Sequence, residues 1–277
     1  MSGYLEVHGL TVRASDGLPL VDDVSFELGV GERLALIGES GSGKSLTSLA
    51  VMGLLPEGLT ASGSVRIGGT EVVGARERVM NGIRGRRAAI VFQEPMTALD
   101  PLTTLGKQLA EPIRRAARRG GVRLDRGAAR DAVRRALDEV SVREPDRVAK
   151  AYPHEVSGGQ RQRVAIAMAL AARPELLIAD EPTTALDVTV QAQVLDLIEG
   201  VVAERGMGLL FVSHDLAVVS RMSPRAIVLS HGREVEAGRV DELISRPREE
   251  YTRQLVGAAL ELDRALDAAR GAEEGGR

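Results

Sequence analysis

The sequence contains no cysteine and no tryptophan, and only three phenylalanines and three tyrosines among its 277 residues. Without cysteine the chain cannot form disulfides, thiolate nucleophiles or cysteine-bound iron–sulfur clusters. Four scattered histidines predict no dedicated transition-metal centre, so we expect any metal to arrive with a bound ligand. Nucleic-acid binding is disfavoured because it relies on positive charge and base stacking, whereas this chain has a net charge of −3 and few aromatics.

Long hydrophobic runs are also missing. No stretch approaches the roughly 18 to 20 apolar residues of a membrane span. Residues 1–10 lack the basic and then apolar layout of a signal peptide. We therefore expect the protein to remain in the cytosol. A composition of 44% hydrophobic and 27% charged residues predicts a globular protein with one sizeable core and room for a smaller lobe.

Strand and helix patterns alternate through most of the chain. The predicted strands are an antiparallel pair in 5–28 around a turn at 15–17, a pair in 64–73 around Gly68-Gly69, single strands at 88–92, 176–179 and 209–212, and a pair in 226–237. Helical spacing covers 158–171 and 188–203. This alternation predicts an α/β fold with a parallel sheet wrapped by helices and an added antiparallel β lobe.

The segment from about 102 to 150 has no strand pattern. Its Ala, Arg and Leu periodicity predicts helices separated by Gly120-Gly121 and by Pro145. The dense arginine run between 114 and 135 is interleaved with alanine and acids at helical spacing, which favours a solvated helix face over an anion-binding patch. We interpret this segment as a helical insert.

A glycine-rich loop connects the predicted strand at 34–37 to helical spacing from Leu46 to Leu55. Such a loop turns its backbone N–H groups inward, so these donors and the positive end of the helix dipole face one anion. Lys44 adds a full positive charge, and the Ser45 hydroxyl can hold magnesium. The residues predicted to bind nucleotide here are Gly38, Glu39, Ser40, Gly41, Ser42, Gly43, Lys44 and Ser45.

Two acids, Asp180 and Glu181, end the apolar strand at 176–179 and precede Pro182. Ligands bind beyond the carboxyl ends of parallel strands. A phosphate-loop enzyme needs a carboxylate near the magnesium held by Ser45, and Asp180 fits that role. Glu181 is the candidate to orient or deprotonate an attacking water.

The segment 156–163, Val-Ser-Gly-Gly-Gln-Arg-Gln-Arg, resembles the signature loop of ABC transporter ATPases. Further motifs of that family follow its order: the phosphate loop, Gln93, the signature, Asp180-Glu181, residues 185–187 and His214. Six motifs in order are specific, and the resemblance covers about residues 5 to 258. It implies a P-loop NTPase core with an antiparallel β subdomain and an α-helical subdomain, with ATP and Mg²⁺ as ligands.

The resemblance also implies roles for residues outside the phosphate loop. The signature residues Ser157, Gly158, Gly159 and Gln160 would bind the γ-phosphate of ATP held by an opposing subunit, so that two subunits enclose two nucleotides head to tail. Gln93 would touch the magnesium and the water, with Ser45 and Asp180 as the other metal ligands. His214 would contact the γ-phosphate, and Asp187 would link the two sites. The predicted catalytic residues are therefore Glu181, His214 and Gln93.

Two segments narrow the resemblance to the dipeptide, oligopeptide and nickel importer ATPases: residues 93–101, Gln-Glu-Pro-Met-Thr-Ala-Leu-Asp-Pro, and residues 151–155, Ala-Tyr-Pro-His-Glu. The segment from Arg246-Pro247 to Leu255 is also similar. The resemblance to this group implies several kinds of partner: a second, homologous ATPase subunit or a second copy of this chain, two membrane permeases and, indirectly, an extracytoplasmic binding protein. The resemblance therefore places the protein at the cytoplasmic face of the membrane and implies peptide uptake, with a nickel or metallophore importer as the alternative.

The resemblance further predicts residues 1–258 as the ATP-binding domain, with the helical subdomain at about 94–160, and residues 259–277 as a short polar tail. The family usually has an aromatic near Ala14 to stack on adenine, and this chain has none there. Arg13 could stack instead, or adenine is held loosely; Tyr4 is better explained as a strand-edge residue. Apolar residues that either receive a permease helix or pack internally are Met96, Leu99, Pro101 and Leu102.

Two other classes remain open. One is a soluble ABC ATPase of DNA repair, translation or cluster assembly. Repair types carry long coiled-coil or zinc insertions and translation types usually hold two ATP domains, and this sequence has neither feature. A non-catalytic ABC subunit is suggested by Ala14 but opposed by the presence of Lys44, Glu181, Ser157 and His214.

Overall fold

The structure, a computed structural model, describes residues 3–93, 98–184 and 186–261. The strands in these ranges are β1 (Leu5–Arg13), β2 (Pro19–Leu28), β3 (Arg33–Ile37), β4 (Thr60–Ile67), β5 (Thr70–Glu71), β6 (Ala88–Val91), β7 (Leu176–Asp180), β8 (Gly208–Val212), β9 (Arg225–Ser230) and β10 (Arg233–Arg239). The helices are α1 (Lys44–Val51), α2 (Glu77–Ile83), α3 (Leu105–Arg119), α4 (Arg126–Glu139), α5 (Pro145–Lys150), α6 (Gly158–Leu170), α7 (Val188–Arg205), α8 (Leu216–Met222), α9 (Val240–Ser245) and α10 (250–261). None of these helices combines the length and apolarity needed to cross a bilayer.

Two sheets organise the molecule. The antiparallel sheet has the order β2-β1-β4-β5, and the larger sheet has the order β10-β9-β3-β8-β7-β6. In the larger sheet β9, β3, β8, β7 and β6 run parallel, while β10 pairs antiparallel with β9 at the edge. Residues of β7 and β8 are buried throughout, which is typical of parallel strands covered by helices on both faces.

Helix α1 lies between the two sheets, because it contacts β1, β2 and β4 on one side and β7 on the other. Its buried residues join the apolar core formed by the antiparallel sheet and one face of the parallel sheet. The opposite face of the parallel sheet shares a second core with α6, α7 and the helical lobe. The phosphate loop before α1 is therefore anchored by burial on both sides of the helix that follows it.

The helical lobe consists of α3, α4 and α5, which pack on one another, and α3 and α4 also pack on α6. As predicted, α3 ends before Gly120-Gly121 and α5 begins at Pro145. Asp125 caps α4 by accepting a hydrogen bond from the Ala128 N–H at 2.8 Å. The arginines between 114 and 135 lie on α3, on α4 and in the loop that joins these two helices. Most of them are exposed, as expected for a solvated face.

The apolar residues considered for a permease groove separate in the structure. Leu99 is 3% exposed within the core of the lobe, whereas Leu102 is 85% exposed. Pro101 is also exposed, and Met96 lies outside the described residues. Leu99 therefore packs internally, and Leu102 and Pro101 are free to meet a partner.

The strands and long helices predicted from periodicity are confirmed, with shifts of a few residues at their ends. Short helices α2, α8 and α9 and the helix α10 were not predicted. The predicted boundary at 259 falls inside α10, whose residue Ala259 packs against the core, so the described residues 259–261 continue a helix. Residues 262–277 lie outside the described residues.

Candidate active site

The phosphate loop joins β3 to α1 through three glycines with positive φ angles: Gly38, Gly41 and Gly43, at 150°, 81° and 99°. A Cβ on Gly38 would lie 2.2 Å from the backbone oxygen of Leu229, so a side chain cannot be accommodated there without moving β9. Gly43 is the N-cap of α1 and offers no side-chain cap. The first N–H groups of α1 are therefore available to an anion.

Lys44 is buried, with only 4% of its surface exposed. Its Nζ donates to the backbone oxygens of Gly38 and Glu39 at 2.8 and 2.7 Å. Burial lowers the pKa of Lys44, while the nearby carboxylates of Glu181 and Asp180 oppose that shift. The ammonium is thus held inside the loop and has the position and charge to contact phosphate oxygens.

The Ser45 hydroxyl donates to Asp180 Oδ1 at 3.0 Å, which joins the start of α1 to the end of β7. Burial raises the pKa of Asp180 to about 6, despite this hydrogen bond and the charge of Lys44. Adjacent hydroxyl and carboxylate oxygens are ligands suited to Mg²⁺, so Ser45 and Asp180 would be the residues to hold that ion if it were bound. No group of three or more His, Cys, Asp or Glu side chains within the described ranges could hold a metal ion, so the nucleotide would have to supply further ligands.

Glu181 and His214 face each other across the ends of β7 and β8. Glu181 Oε1 lies 3.2 Å from His214 Nδ1, and the Glu181 side chain is only 12% exposed. Its other oxygen, Oε2, accepts a hydrogen bond from the Thr184 hydroxyl at 3.0 Å. The backbone of Glu181 has a φ of 45°, a left-handed conformation that is uncommon for residues other than glycine, and its N–H donates to the Val212 oxygen at 3.0 Å. The carboxylate is thus fixed in direction by two neighbours and a constrained backbone.

Most of the predicted site residues meet in one cleft of about 920 Å³, whereas Gly38, Ser42 and Asp180 do not line it. The predicted site residues that line it are Glu39, Ser40, Gly41, Gly43, Lys44, Ser45, Gln93, Glu181 and His214. The remaining wall comes from α8, α9 and α10, including Leu216, Ile244 and Leu255. The structure therefore brings the three predicted catalytic residues, Gln93, Glu181 and His214, to the phosphate loop.

The signature residues 157–160 do not line this cleft. Ser157 caps α6: its hydroxyl accepts from the Gln160 N–H at 3.3 Å, and the Gln160 side-chain oxygen accepts from the Ser157 N–H at 3.2 Å. A Cβ on Gly159 would lie 2.6 Å from Val190, so glycine is required by packing. Arg161 holds the chain that leads into the signature, because its guanidinium donates to the backbone oxygens of Pro153 and Val156. The signature residues therefore form a separate, partly exposed helix start outside the cleft.

Asp187, the predicted link between sites, is exposed and caps α7 by accepting from the Val190 N–H at 3.0 Å. Its local role is thus to start the helix that packs against Gly159.

Residues considered for adenine binding are engaged elsewhere. The Tyr4 hydroxyl donates to the Arg87 backbone oxygen at 3.2 Å, and burial raises the Tyr4 pKa to about 12. Tyr4 directly precedes β1, which is an inner strand of the antiparallel sheet and not the edge strand that the sequence suggested. Arg13 donates to the Gly17 oxygen at 3.1 Å, within the turn that contains Ala14.

A family model described as "ABC transporter" matches residues 21–184. The chain belongs to the ABC transporter family. Its relatives include the oligopeptide transport ATP-binding protein OppD of Mycobacterium tuberculosis, which is 47% identical over 276 residues, covering 96% of this chain and 43% of that protein. A Brucella ovis protein named "Putative peptide import ATP-binding protein" is 46% identical over 261 residues, covering 92% of this chain and 76% of that protein. This ABC cassette thus spans less than half the length of several curated relatives it matches.

Solved structures agree with this assignment. The dimeric ATP-binding cassette MJ0796, determined in a post-hydrolysis state with ADP and Pi, gives a TM-score of 0.75 at 27% identity and covers 85% of this chain and 98% of that chain. CbiO1 of Clostridium perfringens, part of the transporter complex cbiONQ, gives 0.71 at 25% identity and covers 89% and 92%. The predicted ABC ATPase fold is confirmed.

Two contacts of this ABC cassette were not found by sequence reasoning. Thr184 holds the Glu181 carboxylate, and Tyr251 of α10 contacts the phosphate loop. Thr184 lies three residues after Glu181, a spacing at which a hydroxyl can reach back to a carboxylate in a turn. No local pattern indicates the contact of Tyr251, because 212 residues separate it from Glu39.

Asp180→Asn is expected to stabilise the protein in the absence of nucleotide and magnesium. A raised carboxyl pKa means that the folded state loses stability as pH rises from about 4 to about 6, the window between the ordinary and raised values. Removing the charge should therefore stabilise the fold by about 3 kcal/mol near pH 8 and by almost nothing near pH 4. Thermal melts in a chelator across this pH range measure the difference; a variant less stable than wild type at every pH would contradict the burial cost.

Proposed function

We propose that this ABC cassette hydrolyses ATP and thereby drives the import of peptides through partner permeases. The observation that carries the proposal is 47% identity, over 96% of the chain, to a protein named for oligopeptide transport. The cleft supports it, since the phosphate loop and the Glu181–His214 pair line it and the buried Asp180 accepts a hydrogen bond from Ser45 of that loop.

In the proposed reaction the phosphate loop and Lys44 bind the β- and γ-phosphates. Ser45, Asp180 and Gln93 would hold Mg²⁺, which neutralises phosphate charge when bound.

Glu181 accepts a proton from the attacking water, and Thr184 and His214 keep its carboxylate aimed at that water. His214, whose side chain is 58% exposed, is accessible to contact the γ-phosphate. The water oxygen bonds to phosphorus while the bond to the ADP oxygen breaks.

The proposed active site is completed by another subunit. The signature start of α6 presents the N–H groups of Gly158 and Gly159, which the Ser157–Gln160 capping box does not use. It lies away from the cleft of its own chain, so it fits the γ-phosphate of a nucleotide bound to a homologous partner or a second copy. Two permeases and, indirectly, an extracytoplasmic binding protein complete the proposed importer at the cytoplasmic face of the membrane. Closure on ATP would rotate the permeases, and hydrolysis would release them.

Ser157→Arg is expected to leave ATP binding by the single chain unchanged but to block ATP-driven association. A long cation would fill the space in which the partner's γ-phosphate must approach the helix start. Light scattering with Mg-ATP, in the Glu181→Gln background and with the partner subunit where it is known, measures the association.

Asn81→Arg is the matched control, because it adds the same side chain at an exposed position of α2. The control should associate normally. If Ser157→Arg associates as well as Asn81→Arg does, the proposed role of the signature in the partner's site is wrong.

Uptake measurements separate peptide from nickel import. In cells that lack this chain, reintroducing the wild type should restore uptake of a labelled peptide, and Glu181→Gln should not. Restoration of nickel uptake without peptide uptake would replace the proposed cargo with a nickel chelate. Restoration of neither would contradict a role in import.

A further inference from the structure

Helix α10 forms part of the wall of the nucleotide cleft. Leu255, Val256 and Ala259 line the cleft beside the phosphate loop and α8. One turn earlier on the same helix, the Tyr251 hydroxyl accepts a hydrogen bond from the Glu39 N–H at 3.2 Å. The C-terminal helix is thus tied directly to the entry of the phosphate loop.

The peptide groups around Glu39 are held from both sides. The Glu39 oxygen accepts from Lys44 Nζ at 2.7 Å and from the Ser42 N–H at 3.2 Å, both within the loop. The Glu39 N–H, in contrast, is held from outside the loop by Tyr251. If Lys44 Nζ turned toward phosphate oxygens, the Glu39 oxygen would lose that donor, whereas the hydrogen bond that the Glu39 N–H donates to Tyr251 does not involve Lys44.

The far end of the loop has a tie of its own. The Ser42 oxygen accepts from the Gly232 N–H at 3.1 Å, in the turn between β9 and β10. The hydrogen bonds to Tyr251 and Gly232 therefore hold the loop on either side of Ser40 and Gly41, which line the cleft. A loop fixed at both ends keeps its N–H donors in place before the nucleotide arrives.

The position of Tyr251 is set by the packing of α10. Its neighbour Thr252 is fully buried and Val256 is 5% exposed, while Leu255 and Ala259 pack against the core. The Tyr251 ring itself packs against the same core. The hydroxyl is therefore presented by a rigid element, and a phenylalanine would retain the ring contacts while removing only the hydrogen bond.

We propose that Tyr251 is a positioning residue for ATP binding: its hydroxyl fixes the Glu39 peptide and so holds the phosphate loop in its receptive shape. This inference rests on the proposed role of that loop in binding ATP. Since one hydrogen bond to a neutral group contributes modestly, Tyr251→Phe should weaken Mg-ATP binding about fivefold. The effect should fall mainly on the KM for ATP and less on kcat, because the bond of the Tyr251 hydroxyl within the described residues is to Glu39 of the loop.

The test compares Tyr251→Phe, Tyr251→Leu and Gln254→Ala by calorimetric titration with Mg-ATP and by thermal melting. Gln254 is the control, since it is exposed on the same helix and bonds only to Glu250 within the described residues. We expect Tyr251→Phe to lose affinity while melting like the wild type, Tyr251→Leu to lose both affinity and stability, and Gln254→Ala to change neither.

Wild-type affinity in Tyr251→Phe would overturn the proposal. The proposal would also be overturned if, across the variants, affinity for Mg-ATP fell only where the melting temperature fell. The packing of the Tyr251 ring, and not its hydroxyl, would then explain the loss. Lys44→Ala, measured alongside, distinguishes failure of the Tyr251 proposal from failure of the proposed ATP site. If Lys44→Ala binds ATP like the wild type, the assignment of the phosphate loop itself is wrong.

Discussion

Replacing Glu181 by glutamine is expected to leave ATP binding intact and to lower turnover by about 10²- to 10⁴-fold, the usual contribution of a general base. The amide has nearly the same shape, so it can keep the hydrogen bond from Thr184 Oγ1, but it cannot take a proton from water. Phosphate release measured with saturating Mg-ATP and the assembled partner subunits gives the turnover, and titration with labelled ATP gives the affinity.

Glu57→Gln is the control for this variant, because Glu57 is exposed and lies outside the cleft. It should hydrolyse ATP like the wild type. Wild-type turnover in Glu181→Gln would remove Glu181 from the mechanism.

Lys44→Ala is expected to weaken nucleotide binding itself, by about 10- to 100-fold. A hydrogen bond to a charged group contributes about 1.5–3 kcal/mol, and the Lys44 ammonium is buried beside the site where phosphate binds. Removing it also frees the Gly38 and Glu39 oxygens, so the loop loses part of its internal order. Calorimetric titration with Mg-ATP measures the affinity directly.

The matched control is Lys107→Ala, which removes an exposed lysine from α3 in the helical lobe. Its affinity for Mg-ATP should equal that of the wild type. Equal affinities in both variants would contradict the role of Lys44 in phosphate binding.

Much of the fold could be predicted because its signals are local. Glycines between an apolar strand and a helix require one loop geometry, and Asp180 follows a strand whose residues are all buried. The Ser157 cap and Gln160 form the capping box that their spacing in the sequence indicates. In each case a short stretch of chain carries both the structure and the chemistry.

Contacts between distant segments could not be predicted in the same way. The hydrogen bond from Glu39 to Tyr251 depends on where α10 docks, and nothing near Tyr251 in the sequence indicates the phosphate loop. Leu99 and Leu102 carry the same side chain only three positions apart, yet Leu99 is buried and Leu102 is exposed. Burial of that kind is decided by tertiary packing, which the local pattern does not encode.

The most direct test of the central claim is capture of partners by tagged Glu181→Gln protein from detergent-solubilised native membranes with Mg-ATP, followed by mass spectrometry. The variant should retain the ATP-closed assembly because it binds ATP without hydrolysing it. Lys44→Ala, prepared in the same way, is the control that should not accumulate this assembly. Recovery of two permeases and an ATPase partner, dependent on ATP, is the predicted result; recovery of only soluble partners would contradict the transport role.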